Sequence, residues 1–210
     1  MSNTESNALP PNDYVFLGEK ALEIPILDIN LQAPYIIPPF KIWGQLTRRQ
    51  KFTGTWCFYT KDYKFSALWK HPDALIKTKS PVAVETNFST SKELPLTLGI
   101  YDIYRKRWVS KYWQLNGVRI IVDVNVSEKF LKHNFLGIPD GWRSYASRAQ
   151  KGNNEFLHLQ YEYCKKKAGN QEIFFLVYGG GTQIQIMCQE NNWFWIPEQM
   201  QPFKKKEINR

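Results

Sequence analysis

The run from Pro81 to Asn125 leaves this chain few ways to fold. It reads PVAVET, NFSTSKELP, LTLGIYDIYRKRWVSKYWQLNG and VRIIVDVN, which is strand, polar turn, long helix, strand. Val82, Val84, Ile120, Ile121 and Val122 make short β-branched runs of the kind that fill a buried parallel sheet. Between them Leu94, Leu98, Tyr101, Trp108, Tyr112 and Leu115 recur at helical spacing, and Gly117 stands where a helix C-cap glycine belongs. The sequence therefore predicts a βαβ unit. Its hand is right-handed almost without exception, because only that hand packs the crossover back onto a twisted sheet.

The segments around it repeat the alternation. GTWCFYT (54–60) is a strand candidate, and YKFSALWKHPDALIK reads as one or two short helices interrupted before Pro72. SEKFLKHNFLGIPDGW reads as a short helix and a turn, and RSYASRA (143–149) as a small-residue strand. Asn153 or Asn154 is placed to cap the helix NEFLHLQYEYCKKK, which ends at Gly169. IFFLVYGGG is the strongest strand, followed by a helix, TQIQIMCQENN, and an aromatic stretch, WFWIP. From residue 54 onward the order is βα five times over, with no internal repeat. That order predicts an α/β fold, a mainly parallel sheet covered by helices, either open and layered or part of a barrel. Strands near 55–59, 82–85, 118–123 and 173–178 are expected to share it.

Upstream, APYIIPPFKIWG is too proline-rich for a central strand and suits an edge strand or an ordered covering loop. The domain thus carries an irregular proline-rich N-terminal extension. Residues 1–20 are expected to be a flexible arm, 21–200 a single α/β domain, and 201–210 a basic C-terminal tail with Lys204 to Lys206. The long helix is apolar over much of its girth and leaves a narrow polar stripe of Gly99, Asp102, Lys106 and Ser110, a pattern that predicts burial on more than one side. Ser89, Thr90 or Ser91 is placed to cap it.

Charge decides which partners to look for. Lys and Arg number 28 against 19 Asp and Glu, a formal net charge of +9, and such a chain attracts polyanions. With aromatics at 15%, single-stranded DNA is the favoured nucleic acid, because bases stack on aromatic faces while cations follow the backbone. The blander account makes the aromatics core and the lysines a solvated surface. Arg48 and Arg49 in TRRQK, Arg105 and Arg107 on the long helix, and Arg148 are the candidate nucleic-acid contacts. No apolar run approaches the ~20 residues of a membrane span, so no membrane partner is expected. The three scattered cysteines, Cys57, Cys164 and Cys188, form no disulfide or metal-knuckle pattern and fit a reducing cytoplasm. MSNTESNALPPND lacks the pattern of a secretion signal. His71 has no second histidine at ligand spacing, so no metal is expected there.

Several ordered motifs together resemble the domain-of-unknown-function family 4417, found in bacteria, phages and plasmids. They are CFYTKDYKFSALWKHP, NFSTSKELPLTLGIYDIYRKR, GIP, SYAS, EFLHLQYEYCKKK and FFLVYG, over roughly residues 50 to 195. The resemblance implies an Asp-Phe-Ser turn, where this chain has Asn87, Phe88 and Ser89. It also implies Tyr-Arg-x-Arg on the helix, matched by Tyr104, Arg105 and Arg107, and an Arg-Trp pair replaced here by Asn125 and Val126. It carries no assigned activity.

Ligands of parallel α/β sheets bind outside the strand carboxyl ends. Applied here, that rule gathers Tyr59, Lys61 and Asp62; Glu85, Asn87 and Ser89; Asp123 and Asn125; Ser144, Tyr145, Ser147 and Arg148; and Gly179, Gly180 and Gly181. Glu85, Asp123, Asn87 and Ser89 are the candidates for chemistry. Lys61, Asp62, Asn125, Ser147 and the three glycines are the candidates for holding a ligand, with a divalent cation and a phosphate as the expected occupants. Otherwise these are loop residues that cap helices. His158-Leu159-Gln160 and Tyr163 to Lys166 mimic rolling-circle endonuclease motifs, but both fall on one helix, which cannot set a metal opposite Tyr163. Three functions stay open: a nucleic-acid-associated protein of phage or plasmid DNA replication, a small enzyme acting on a phosphorylated or nucleotide ligand, and a host-directed interaction protein using the aromatic C-terminal stretch.

Overall fold

Seven strands lie side by side in the order in which the chain makes them, and every neighbouring pair is parallel. They are β1 (Phe40–Ile42), β2 (Thr55–Cys57), β3 (Val82–Val84), β4 (Arg119–Asp123), β5 (Ser144–Ala149), β6 (Phe174–Gly179) and β7 (Phe194–Ile196). Between them run α1 (Asp73–Ile76), α2 (Leu96–Leu115), α3 (Glu128–Leu131), α4 (Asn154–Lys167) and α5 (Gly181–Glu190). The computed structural model describes residues 16–18, 21–45, 51–149, 152 and 154–198. Arg48 and Arg49, most of the expected arm, the basic tail and the Asn153 cap lie outside the described residues.

Consecutive right-handed crossovers all place their helices on one face of the sheet. Along each strand, side chains then alternate between that face and the other. Trp56, Ala83, Ile120, Val122, Tyr145, Phe175 and Val177 point to the helix layer and pack with Trp108 and Trp113 of α2, Leu157 of α4 and Ile184 of α5. Phe40, Cys57, Tyr59, Val82, Val84, Ile121, Ala146, Leu176, Tyr178 and Ile196 point the other way and form a second core among themselves. Strands can fill that face with their own side chains only by curling. The Phe40 ring of β1 and the Tyr178 ring of β6 are 6.1 Å apart, centroid to centroid, across the curl. Of the two arrangements that the alternation allowed, this is the barrel-like one. Its strand order never reverses, so the topological switch point of an open doubly wound sheet has no counterpart here.

The proline-rich extension ends in β1, which is an edge strand as expected, and the residues before it close the amino end of the curl. Pairing of β4 with β5 begins only at Val122 and Tyr145. Before that point Ala33 takes a strand's place, its amide donating to the Ile120 carbonyl at 3.0 Å. The Ser144 hydroxyl donates to the Ala33 carbonyl, and the Arg143 amide donates to Gln32 Oε1 at 2.7 Å. Thr55 Oγ1 holds Ile37 through both its amide and its carbonyl, at 2.8 and 3.0 Å.

The long helix is buried on more than one side, as its pattern predicts, but the polar stripe is part of what is buried. Gly99, Lys106 and Ser110 of the polar stripe are buried, whereas Leu98 and Leu115 are exposed. Gly99 faces inward because the Phe130 ring of α3 lies against it, so that a Cβ there would overlap the ring; such overpacking typically costs about 1–3 kcal/mol. Lys106 faces inward because a carboxylate awaits it. The helix begins at Leu96 behind Pro95 and carries no side-chain cap. Ser89 bonds to Asp62 instead, and Thr90 Oγ1 accepts from the Ser127 amide. WFWIP, which the sequence left without structure, supplies β7. Of the eight tryptophans only Trp195 is less than buried, so the indole rings belong to the core.

Candidate functional site

The alternation that fills the curl continues past the strand ends and splits the expected acids between two faces. The Glu85 amide still follows the sheet, donating to the Ile121 carbonyl at 2.9 Å. Its side chain therefore turns to the helix layer, where it is fully buried and paired with Arg107 of α2. Asp123, next in phase after Ile121, turns to the inner face beside Tyr59. Each acid meets a cation from the same turn of α2, Arg107 for Glu85 and Lys106 for Asp123.

Asp123 is saturated. Its Oδ1 accepts from the Tyr59 hydroxyl at 3.0 Å and from the Asn125 amide at 3.1 Å, and its Oδ2 accepts from Lys106 Nζ at 3.1 Å. In the orientation that gives both ends of its amide partners, Asn87 donates to the same Oδ2 at 3.3 Å and to the Asn125 carbonyl at 3.0 Å. Its oxygen accepts from the Asn125 side-chain amide at 3.0 Å. A carboxylate has about four lone-pair sites, and all are taken. Burial pushes the Asp123 carboxyl up to about 6, with the Lys106 charge pulling the other way. The same burial, with the Asp123 charge behind it, holds the Tyr59 phenol well above its ordinary value. Glu85 Oε2 accepts from the Asp123 amide at 3.1 Å, which ties the two pairs together.

Asn87 and Asn125 thus roof over Asp123, and above them opens a cleft of about 350 Å³. Ser89, Thr90, Ser91, Ser127 and Arg148 line one part of it, Phe156, Leu157 and Gln160 of α4 another. Arg148 is half-buried, and its Nη2 donates to Glu198 Oε1 at 2.6 Å. Among the described residues no group of His, Cys, Asp or Glu is arranged to hold a metal ion. What the cleft offers is amides, hydroxyls, one guanidinium and an apolar wall.

The structure thus brings together Asn87, Ser89, Asn125 and Arg148 of the candidate residues. Glu85 and Asp123 lie fully buried beneath them. Ser147 is buried against Gln160, its hydroxyl donating to Oε1 at 2.6 Å. Lys61 is exposed, and Asp62 accepts from both the amide and the hydroxyl of Ser89. Gly179, Gly180 and Gly181 all take positive φ, which is why three glycines stand there, and a Cβ on Gly180 would overlap Ile184 and Ala149. Gly180 packs strand against helix, and all three glycines lie outside the cleft lining. Arg107 is fully buried, bonded to Glu85 and to the carbonyls of Asn134 and Leu136, so it presents nothing to a polyanion. Arg105 lies 4.0 Å above the Phe88 ring and pairs with Asp102. The aromatic stretch expected to meet a host protein is strand β7, with Trp193 buried.

Sequence reading missed Lys106 and Glu198. Lys106 was legible in principle, since a lysine within a stripe that also holds glycine and serine on an otherwise apolar helix marks a buried cation. Glu198 carries no local signal at all.

Comparison with known proteins follows the same outline. The profile of a family described as Domain of unknown function (DUF4417) matches residues 16–190, which adds the N-terminal extension to the run on which the resemblance rested. The chain is similar to the Gene 1 protein of Mycobacterium phage D29, 26% identical over 132 residues, 60% of this chain and 48% of that protein. It is similar also to the Gene 1 protein of Mycobacterium phage L5, 27% identical over 112 residues, 50% of this chain and 47% of that protein. The chain spans about half the length of the curated relatives it matches. No solved structure matches it.

Proposed function

The chain belongs to the DUF4417 family of domains of unknown function, and we propose that it binds a phosphorylated ligand of nucleotide class in the cleft at its strand carboxyl ends. The observation that carries this reading is the mixed lining of the cleft, which combines amides, hydroxyls and the Arg148 guanidinium with Phe156 and Leu157. A phosphate is held by a guanidinium fork and by hydroxyl donors. A planar base is held by an aromatic or apolar wall. The acids below the cleft are neutralised by Lys106 and Arg107, so a ligand anion entering it meets little repulsion from them. Curled parallel sheets of consecutive βα units present their ligands at this end. Calorimetry with deoxynucleoside mono- and triphosphates, with and without Mg²⁺, tests the reading. Arg148→Gln is expected to weaken binding by about tenfold through loss of one charge-assisted contact. A wild type that binds none of these ligands ends it.

A second reading rests on a separate observation, the net charge of +9. Together with relatives from two phages, it supports association with nucleic acid, single-stranded DNA above all, in the cytoplasmic DNA replication of a phage or plasmid. Arg48, Arg49 and Arg148 are its cations. Affinity for single-stranded DNA should fall steeply from low to moderate salt as released counterions lose their advantage. Replacing the three arginines with alanine should weaken it whatever the base sequence. DNA binding that ignores salt, or is absent at low salt, leaves the first reading alone.

A further inference from the structure

Among the described residues that line the cleft, Arg148 is the only cation, and it is already engaged. Its partner Glu198 arrives from just beyond β7, 50 positions later in the chain. The Glu198 carboxyl carbon lies 3.9 Å from where a Cβ on Gly179 would stand, so the acid lies across the end of β6 to reach the arginine at the end of β5. The Arg148 side chain is one-third exposed and that of Glu198 more than half. Both charges thus keep much of their hydration, and a pair of this kind holds only weakly.

We propose that Glu198 is an internal occupant of the anion position in the cleft, which a ligand's phosphate displaces from Arg148. The inference rests on the ligand reading above. A carboxylate and a phosphate engage a guanidinium through the same pair of oxygens, so the two compete for one donor fork. A phosphate dianion carries more charge and a further oxygen for the hydroxyls of Ser89 to Ser91 and wins. A singly charged carboxylate ligand gains nothing over the one already in place and is turned away. Glu198 therefore sets both the affinity of the cleft and its preference for phosphates over carboxylates.

The test uses inorganic phosphate, thymidine monophosphate and acetate as probes, titrated into wild type, Glu198→Gln and Arg148→Gln at neutral pH. Glu198→Gln is expected to bind both phosphate probes about threefold to fivefold more tightly than wild type and to gain measurable affinity for acetate. Arg148→Gln is expected to bind both phosphate probes about tenfold more weakly. If Glu198→Gln matches wild type while Arg148→Gln is weakened, the role of Glu198 is overturned and the ligand site stands. If Arg148→Gln binds like wild type, the ligand site itself is overturned. Failure of every protein to bind any probe overturns both. Thermal midpoints of the two variants close to that of wild type establish that binding, and not folding, has changed.

Discussion

Lys106–Asp123 and Arg107–Glu85 lie beneath the cleft with all four side chains buried, while Arg148–Glu198 lies at its rim with both partners partly in water. The pairs share their chemistry and stand within one end of the same barrel. What differs is the company each keeps. Beneath the cleft every charged atom has further partners: the Asn134 and Leu136 carbonyls for Arg107, the Asp123 carbonyl for Lys106, Tyr59 and two asparagines for Asp123. Those bonds repay the cost of taking charges out of water only while all are present. At the rim, solvent can replace either partner. Buried charge here fixes α2 to the ends of β3 and β4, and exposed charge is left free to be exchanged.

That contrast is most exposed to failure at Arg107. Arg107→Met strands Glu85 in the core, and urea denaturation should show a loss of about 3–5 kcal/mol. A loss as small as that of a surface substitution would erase the distinction between the two sets of pairs.

The pH dependence of stability probes the other buried pair. The Asp123 carboxyl titrates near 6 in the fold against an ordinary 3.8, so between those values the folded chain holds a proton that the unfolded chain has released. Stability contributed by this group is therefore greatest below the ordinary value and falls as pH rises toward 6, by up to about 3 kcal/mol. In Asp123→Asn that slope should vanish. A wild type and a variant with parallel stability–pH profiles would show that Asp123 is not shifted upward.

Asn87 sharpens the comparison from the roof. Asn87→Asp replaces a donor to Asp123 by a second carboxylate, which raises the Asp123 carboxyl further and should cost about 1–3 kcal/mol at neutral pH. Mn²⁺ should recover part of that loss by sitting between the two acids, a gain that wild type would not show in a thermal melt. The smallest effect belongs to the rim. Arg148→Gln should leave stability within about 1 kcal/mol of wild type while weakening ligand binding about tenfold.

The parallel sheet was legible because β-branched runs and helical spacing are local signals, and the βαβ unit between Pro81 and Asn125 carries both in full. The curl was not, since it depends on how side chains such as Phe40 and Tyr178 meet across strands far apart in sequence. The strand-end rule gathered Asn87, Ser89, Asn125 and Arg148, and the structure sets these four around one cleft. It treated Glu85 and Asp123 as equivalent, though one residue of phase sends them to opposite faces. Arg107 read as a surface cation because nothing local to a helix announces a buried acid waiting on a neighbouring strand. Burial of seven of the eight indole rings puts the tryptophans in the core, while Tyr35, Tyr63 and Phe194 stay exposed.

The segment that closes the amino end of the curl has a consequence for synthesis. Asp28 is bonded to Gln114, 86 positions later, and Gln32 and Ala33 are bonded to Arg143 and Ser144, 111 positions later. Chains leave the ribosome amino end first, so this segment emerges before its partners and must wait for 86 to 111 further residues until they exist. Contacts of such span close slowly, because loop entropy is spent before they form. In the interval Ile24, Leu27 and Ala33, all buried in the finished molecule, stand open to whatever else is in the cell. A nascent chain stalled before residue 144 should therefore be bound by general chaperones through residues 21–40, and one stalled well beyond it should not.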